Sequence, residues 1–264
     1  MGKSIVAFVF IFYSMVCLGA DSRDPESQDN AQRGSLKILT YNVRNCVGLD
    51  KSTDYQRIAD IIKRIDADVV ALQELDSATS RSKNIVVLNE LAARTNLFPS
   101  YSASIGFQGG KYGIGVLTRE KPVSRCVIGL PGKEEMRSLL IVELKDFVIC
   151  CTHLSLTRED SMASVEIINL AVGKYSKPVF LAGDLNTEPG SAELKSLEKT
   201  WTMLSDPNML TFPANNPDKC IDYIMFHNND NFSVSAVESK VEPESVASDH
   251  RPVWVNFKLI KNQK

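Results

Sequence analysis

Phe180-Leu181-Ala182-Gly183-Asp184-Leu185-Asn186 is the stretch that decides the fold of this chain. An apolar run stops at Gly-Asp-x-Asn, which sets a carboxylate and a carboxamide two residues apart where a strand should end. Side chains at i and i+2 of an extended segment point the same way, so Asp184 and Asn186 are placed to face one bound substrate. Asp and Asn are also ordinary turn residues, and alone the stretch reads equally well as a polar strand-to-loop turn.

Four further segments share its design. Ser248-Asp249-His250-Arg251-Pro252-Val253 sets an acid beside an imidazole just before a short strand, Val253 to Leu259. Neighbouring strand residues point to opposite faces, so two adjacent working residues need a loop or strand-edge setting, which Pro252 suits. Val69-Val70-Ala71-Leu72-Gln73-Glu74 reads as a buried strand ending in Gln-Glu, and Leu36-Lys37-Ile38-Leu39-Thr40-Tyr41-Asn42 as a strand ending in Asn. Phe147-Val148-Ile149-Cys150-Cys151-Thr152-His153 ends in one of only three histidines. Four of the five are apolar strands that deliver a polar group at the carboxyl end, and the Ser248 segment sets its pair at a strand's start. Random surface decoration does not repeat such strand-end placement five times.

With these segments in hand, the chain resembles the endonuclease/exonuclease/phosphatase superfamily of DNase I-like fold, as a secreted, bacterial-type member. The resemblance runs from about Leu36 to Leu259, in the family's motif order. Tyr41-Asn42, Leu72-Gln73-Glu74 and Thr152-His153-Leu154 match its first three motifs. Gly183-Asp184-Leu185-Asn186, Ile221-Asp222-Tyr223-Ile224 and Ser248-Asp249-His250 match the rest. Any one of these strings is weak; their succession is specific.

The resemblance implies an α+β fold, a four-layer α/β/β/α sandwich of two mixed sheets, with the site at one end. It implies Glu74 as the firmest metal ligand, with Asn42 and Asp249 near the same ion. Glu74 and Asp249 are hard oxygen donors and Asn42 a neutral one, a set that suits Mg²⁺ or Mn²⁺. Asp184 is expected to orient or deprotonate the attacking water, and Asn186 to hold a non-bridging phosphate oxygen. His250 is expected to contact the phosphate, with Asp222 as the carboxylate that fixes its tautomer by family analogy, and His153 to be a second imidazole. Tyr112, in Gly109-Gly110-Lys111-Tyr112-Gly113, and Arg137, opening a strand, stand where relatives contact phosphate. No acidic residue follows closely after Tyr112, where deoxyribonucleases of this fold partner the equivalent of His153. That argues against a strict deoxyribonuclease.

Composition bounds the rest. The 264 residues, 44% hydrophobic, suit one large domain and show no internal repeat or mid-chain linker. Lys3, an apolar run from Ile5 to Val16 and small residues at Leu18-Gly19-Ala20 read as a secretory signal over 1–20. Residues 21–34 read as a polar tether and 35–264 as the catalytic domain. The implied location is secreted or periplasmic; lipid anchoring through Cys17 fits less well because Val16 precedes it. The net charge of −2 moves to −3 once Lys3 is removed, and no dense basic stripe appears. Tracking of many phosphates is therefore disfavoured. Cys46, Cys126, Cys150, Cys151 and Cys220 form no disulfide framework, though one bridge is conceivable; Cys150 and Cys151 are expected to pack as small hydrophobes.

Periodicity predicts helices over Tyr55–Arg64 (capped by Asp54), Val86–Thr95, Ser161–Tyr175 and Ala192–Leu197. Strands are expected over Gly113–Thr118, Pro122–Leu130, Met136–Leu144, Ile221–Phe226 and Phe232–Val241, besides the motif strands. The leading functional reading is a metal-dependent phosphodiesterase or phosphatase acting on a phosphoester: a small ester, a phospholipid headgroup or nucleic acid. A nuclease and a catalytically inactive phosphate-binding module on the same fold are the alternatives. No obligate protein partner is evident, and a monomer is expected. The loops 46–53, 77–84 and 204–219 are expected to choose the substrate.

Overall fold

The computed structural model describes residues 35–262; the segments read as signal and tether lie outside them. The chain runs β1 (Leu36–Asn42), α1 (Tyr55–Ile65), β2 (Val69–Ser77), α2 (Val87–Thr95), β3 (Phe98–Phe107), β4 (Gly110–Thr118), β5 (Ser124–Leu130) and β6 (Arg137–Glu143). It continues β7 (Val148–His153), α3 (Arg158–Val172), β8 (Val179–Asp184), α4 (Ala192–Leu197), β9 (Trp201–Met203), β10 (Asp222–His227), β11 (Phe232–Val241) and β12 (Val253–Lys261). A single 3-10 turn, Arg44–Cys46, follows β1.

Local sequence explains the elements. Asp54 accepts a hydrogen bond from Arg57 N at 2.9 Å and caps α1, a contact worth ~1 kcal/mol. Ile58, Ile61, Ile62 and Ile65 recur at helical spacing and are all buried on one face. The helix ends at Asp66, which adopts a left-handed φ of 53°. Helix α3 begins at Arg158 rather than at the expected Ser161, with Thr157 at its N-cap position.

The strands form two six-stranded sheets, ordered β11-β12-β1-β2-β4-β3 and β5-β6-β7-β8-β10-β9. In each, one central pair is parallel, β1–β2 and β7–β8, and the other pairings are antiparallel. Parallel neighbours need a crossover; α1 and α3 supply it. The element order is therefore β-α-β-α-β-β-β-β, twice over. The closing hairpin of each copy is exchanged: β5–β6 extends the sheet of β7, and β11–β12 extends the sheet of β1.

Both faces of each sheet are covered, so the central strands read as continuous apolar runs. Leu39, Tyr41, Val70 and Leu72 pack outward against Ile58, Ile62, Leu88 and Leu91 of α1 and α2. Leu181, Tyr223 and Met225 pack outward against Val165 and Ile168 of α3. Between the sheets lie Ile38, Val69, Ile149, Phe180, Ile224, Val255 and Phe257. This is a four-layer α/β/β/α sandwich of DNase I-like, α+β architecture.

Side-chain size falls toward one end of the layer between the sheets. Along their inner faces β1 reads Ile38, Thr40, Asn42, and β2 reads Val69, Ala71, Gln73. In the same way β7 reads Ile149, Cys151, His153, and β8 reads Phe180, Ala182, Asp184. Bulk holds the sheets together at one end, and small residues lead to polar groups at the other. Antiparallel β10 brings Asp222 to that polar end, with Ile224 and Phe226 beyond.

Two strands have no counterpart in the sequence reading. β3 is a sheet edge whose Ser100, Ser102 and Ser104 lack the residue types that favour strands. Ser102 donates to Ser138 across the sandwich at 3.1 Å, so tertiary contacts override propensity there. β9 has only 3 residues. The five described cysteines are free thiols; Cys150 packs toward the helices and Cys151 between the sheets.

Candidate active site

The polar end of the inter-sheet layer gathers residues from distant parts of the chain. Strand pairing sets Asn42 beside Gln73, His153 beside Asp184, and Asp222 on the other side of Asp184. Asp184, 1% exposed, is the hub. Its Oδ2 lies 3.1 Å from Asn42 Nδ2, 3.5 Å from His153 Nε2 and 3.6 Å from His250 Nε2. Its Oδ1 accepts the backbone N–H of Asn186 at 3.0 Å.

The two imidazoles are tuned in opposite directions. Burial works against charge on His250, but the carboxylates of Asp222, Asp184 and Asp249 outweigh it and raise its pKa to about 10. Its Nδ1 meets Asp222 Oδ2 at 2.9 Å, so His250 is a proton-bearing imidazolium held in one orientation. Phe212 covers its ring at 4.8 Å between centroids. The other Asp222 oxygen, Oδ1, is buried without a partner among the described residues. Burial lowers the pKa of His153 to about 4, with Arg137 and His250 adding to the effect against the pull of Asp184. His153 is therefore neutral.

Glu74 reaches the site through a bulge. The β2–β4 register shifts between Leu72 and Leu75, and Glu74 takes a left-handed φ of 61°. Regular alternation would point Glu74 at the helices with Leu72; the bulge re-aims it. Asn42 Nδ2 donates to Glu74 Oε1 at 3.0 Å. Burial raises the pKa of Glu74, and Asp249 and Asp184 raise it further, against the Asn42 hydrogen bond and His250. Asp249 meets Arg44 Nε at 3.5 Å and accepts from Ser248 Oγ at 3.3 Å. Ser248 Oγ also reaches Asn42 O at 2.7 Å and ties the last motif to the first.

Which groups suit a cation follows from their protons. Asp184, Asp222 and His250 each offer a ligand atom within 4.8 Å of the others. A protonated imidazole cannot ligate, and Asp222 is already paired with it. Glu74 and Asp249 instead present carboxylates whose mutual repulsion a hard cation would relieve, so the residues present fit a divalent ion. Asn42 Oδ1 accepts Arg44 N at 3.1 Å, which turns its amide nitrogen toward the carboxylates. In this arrangement Asn42 orients Glu74 and Asp184.

The remaining expected residues lie around this core. Asn186, at a left-handed φ of 49°, gives one amide N–H to Leu154 O at 3.0 Å, and its second N–H has no acceptor among the described residues. Tyr112 is half-buried, and burial with the charge of Glu74 raises its hydroxyl pKa. Arg137 is buried and closed by Glu134 at 3.0 Å and Glu135 at 2.7 Å. Both carboxylates hold a guanidinium that the sequence reading offers to phosphate. Ser248, Arg44 and Glu134 were missed as site neighbours. Ser248 is itself part of the last motif and Arg44 lies two residues after Asn42, whereas nothing in the sequence near Glu134 marks it.

Residues 39–250 match the profile of the Endonuclease/Exonuclease/phosphatase family. An endonuclease/exonuclease/phosphatase from Beutenbergia cavernae is 24% identical with a TM-score of 0.67, over 86% of this chain and 72% of that one. Humanized D. rerio TDP2 is 20% identical (TM-score 0.65) over 85% and 99% of the two chains. The Bacteroides thetaiotaomicron mannosyl-6-phosphatase is 17% identical (TM-score 0.62) over 85% and 99%. No protein of curated function matches the sequence. With motifs, fold and converging side chains in agreement, the chain belongs to the endonuclease/exonuclease/phosphatase family.

Proposed function

We propose that this protein is a divalent-metal-dependent phosphoesterase that hydrolyses phosphodiester or phosphomonoester bonds. The observation that carries the reading is Asp184 Oδ2, within 3.6 Å of two imidazoles and 3.1 Å of the Asn42 amide. Such a carboxylate, already held by donors, is pre-organised to orient a water and accept its proton. Glu74 and Asp249, with Asn42 beside them, hold Mg²⁺ or Mn²⁺, which when bound polarises the phosphoryl oxygens. His250, kept charged by Asp222, donates to a non-bridging oxygen. Neutral His153 donates from the opposite side of Asp184, and Asn186 offers its remaining N–H. As a further proposal, the leader-like residues 1–20 direct the enzyme to a secreted or periplasmic location, where it works as a monomer.

The test is hydrolysis of one phosphodiester and one phosphomonoester reporter by purified protein in Mg²⁺ or Mn²⁺. Turnover that a chelator abolishes and that Asp184→Ala abolishes is the expected result. Equal turnover by wild type and Asp184→Ala overturns the mechanism, and no turnover of any ester overturns the reading.

A further inference from the structure

One charged side chain at the rim of the site is fixed more firmly than its exposure would suggest. Arg81 lies in the loop between β2 and α2, and its side chain is 41% exposed. An exposed ion pair is ordinarily worth ~1 kcal/mol or less because its members move. Here the partner, Asp76, is fully buried. Arg81 Nε meets Asp76 Oδ2 at 2.6 Å and Nη2 meets Oδ1 at 2.7 Å, a bidentate pair. Thr79 Oγ1 donates to the same carboxylate at 2.7 Å. The guanidinium also stacks 4.6 Å over the Phe107 ring and stands 5.5 Å from the Tyr112 ring.

The loop carrying Arg81 is fastened to the tip of the β3–β4 hairpin. Gln108 Oε1 accepts Arg81 N and Ser80 Oγ, each at 3.2 Å, and Gln108 O accepts Ser80 N at 2.9 Å. Loop and hairpin make one wall beside the site. Asp76 is two residues beyond Glu74 on β2 and pairs in register with Tyr112 on β4. Two of the nitrogens of Arg81 secure the wall. Among the described residues no acceptor takes the third, Nη1, which leaves a rigid planar cation with an unused donor; the Tyr112 ring is 5.5 Å away and the Glu74 carboxylate is near enough to act on its charge.

We propose that Arg81 is a specificity-determining residue that binds a second phosphate of the substrate, close to the one hydrolysed beside Asp184. The inference rests on the phosphoesterase reading and narrows it to esters carrying two nearby phosphates. A single fixed guanidinium on a chain of net charge −2 suits one local anion, not a long polyanion. A small bisphosphate and a short nucleic-acid strand both supply that chemistry.

Steady-state kinetics in Mg²⁺ distinguishes the sources. The substrates are single-phosphorus mono- and diester reporters, a bisphosphorylated polyol and a short single-stranded oligonucleotide. The proteins are wild type, Arg81→Met, which keeps an unbranched apolar side chain for Phe107, and Asp76→Asn/Arg81→Met, which removes the pair without stranding a buried charge. Loss of a hydrogen bond to a charged group predicts a drop in kcat/KM of about tenfold or more on a two-phosphate substrate, mainly in KM. Reporter turnover should stay within about twofold. The arm showing the selective loss names the source. Equal loss on reporters and two-phosphate substrates, or no loss on either, overturns the inference while leaving the phosphoesterase reading intact. Absence of wild-type turnover on every substrate ends both, and the reporters tell the two failures apart.

Discussion

The two copies of the β-α-β-α-β-β-β-β unit place matching positions at the same end of the sandwich and fill them with different chemistry. The parallel pair β1–β2 ends in Asn42 opposite Gln73, and the parallel pair β7–β8 ends in His153 opposite Asp184. One copy offers two amides where the other offers an imidazole and a carboxylate. The exchanged hairpins match as well. Val253 pairs with Thr40 and Leu140 pairs with Cys151, so His250 and Arg137 stand at corresponding places before β12 and in β6. Both are buried cations, yet His250 faces Asp184 and Asp222 while Arg137 faces Glu134 and Glu135. A buried carboxylate needs donors. Asp184 draws part of its set from the amide-bearing copy, through Asn42. The amide-bearing strand pair therefore supports the charged one.

Two substitutions at matching positions test that division hardest. Asp184→Asn makes the second copy resemble the first. It is expected to cut reporter turnover by about a thousandfold or more, since it removes the proton acceptor and its charge together. The melting temperature should hold, because a buried carboxylate is replaced by an isosteric amide. Retained turnover would return Asp184 to a structural role. Gln73→Glu is the reciprocal change. Gln73 is fully buried, and among the described residues its side chain bonds only Thr40 Oγ1 at 3.4 Å and Cys151 Sγ at 3.5 Å. A carboxylate there has no imidazole and no amide donor, and a loss of about 3 kcal/mol or more in denaturant unfolding is expected. An unaffected midpoint would mean that the two ends tolerate charge equally.

The duplication itself was not legible in the sequence. Ile38-Leu39-Thr40-Tyr41-Asn42 and Ile149-Cys150-Cys151-Thr152-His153 occupy the same place in the two copies but share only β-forming character. Pairing register can be conserved while side chains diverge, since a strand needs only an apolar inner face of the right period. The strand ends were legible because each polar group closes an apolar run, as at Asp184 and His153. Glu74 was found for the same reason, although its approach was not: only the backbone bulge shows how an outward position turns inward. The partners of Arg137 escaped the reading because Glu134 and Glu135 sit in an irregular loop with no period to interpret. β3 escaped because its serines are satisfied across the sandwich instead of by local pattern.

The contrast between the two imidazoles gives a smaller, pH-dependent effect. His153 has a folded pKa of about 4, below the ordinary 6.5, mainly because it is buried. Between these values the unfolded chain binds a proton that the folded one does not, so the contribution of His153 makes stability fall as pH drops from 6.5 to 4. That contribution is complete above 6.5. The span corresponds to a loss on the order of 3 kcal/mol. In His153→Gln that part of the slope should vanish, read as the difference between wild-type and variant unfolding free energies at several pH values. Parallel curves would show that His153 remains protonated in the fold.

Glu74→Gln sharpens the comparison at the carboxylate that the amide-bearing copy contributes to the proposed metal set. The substitution keeps the shape and the bulge, and it keeps an oxygen that can accept from Asn42 Nδ2. What it removes is one of the two carboxylates proposed to hold the metal, leaving Asp249. The expected result is a rise of about tenfold in the Mg²⁺ concentration for half-maximal turnover, with a smaller change in rate at saturation. If Glu74 serves only to hold Asn42, the retained oxygen still accepts from Asn42 Nδ2, and both the Mg²⁺ curve and kcat stay where they were. The two outcomes differ in whether the titration moves at all. That separates a ligand from a positioning residue without assigning the metal beforehand.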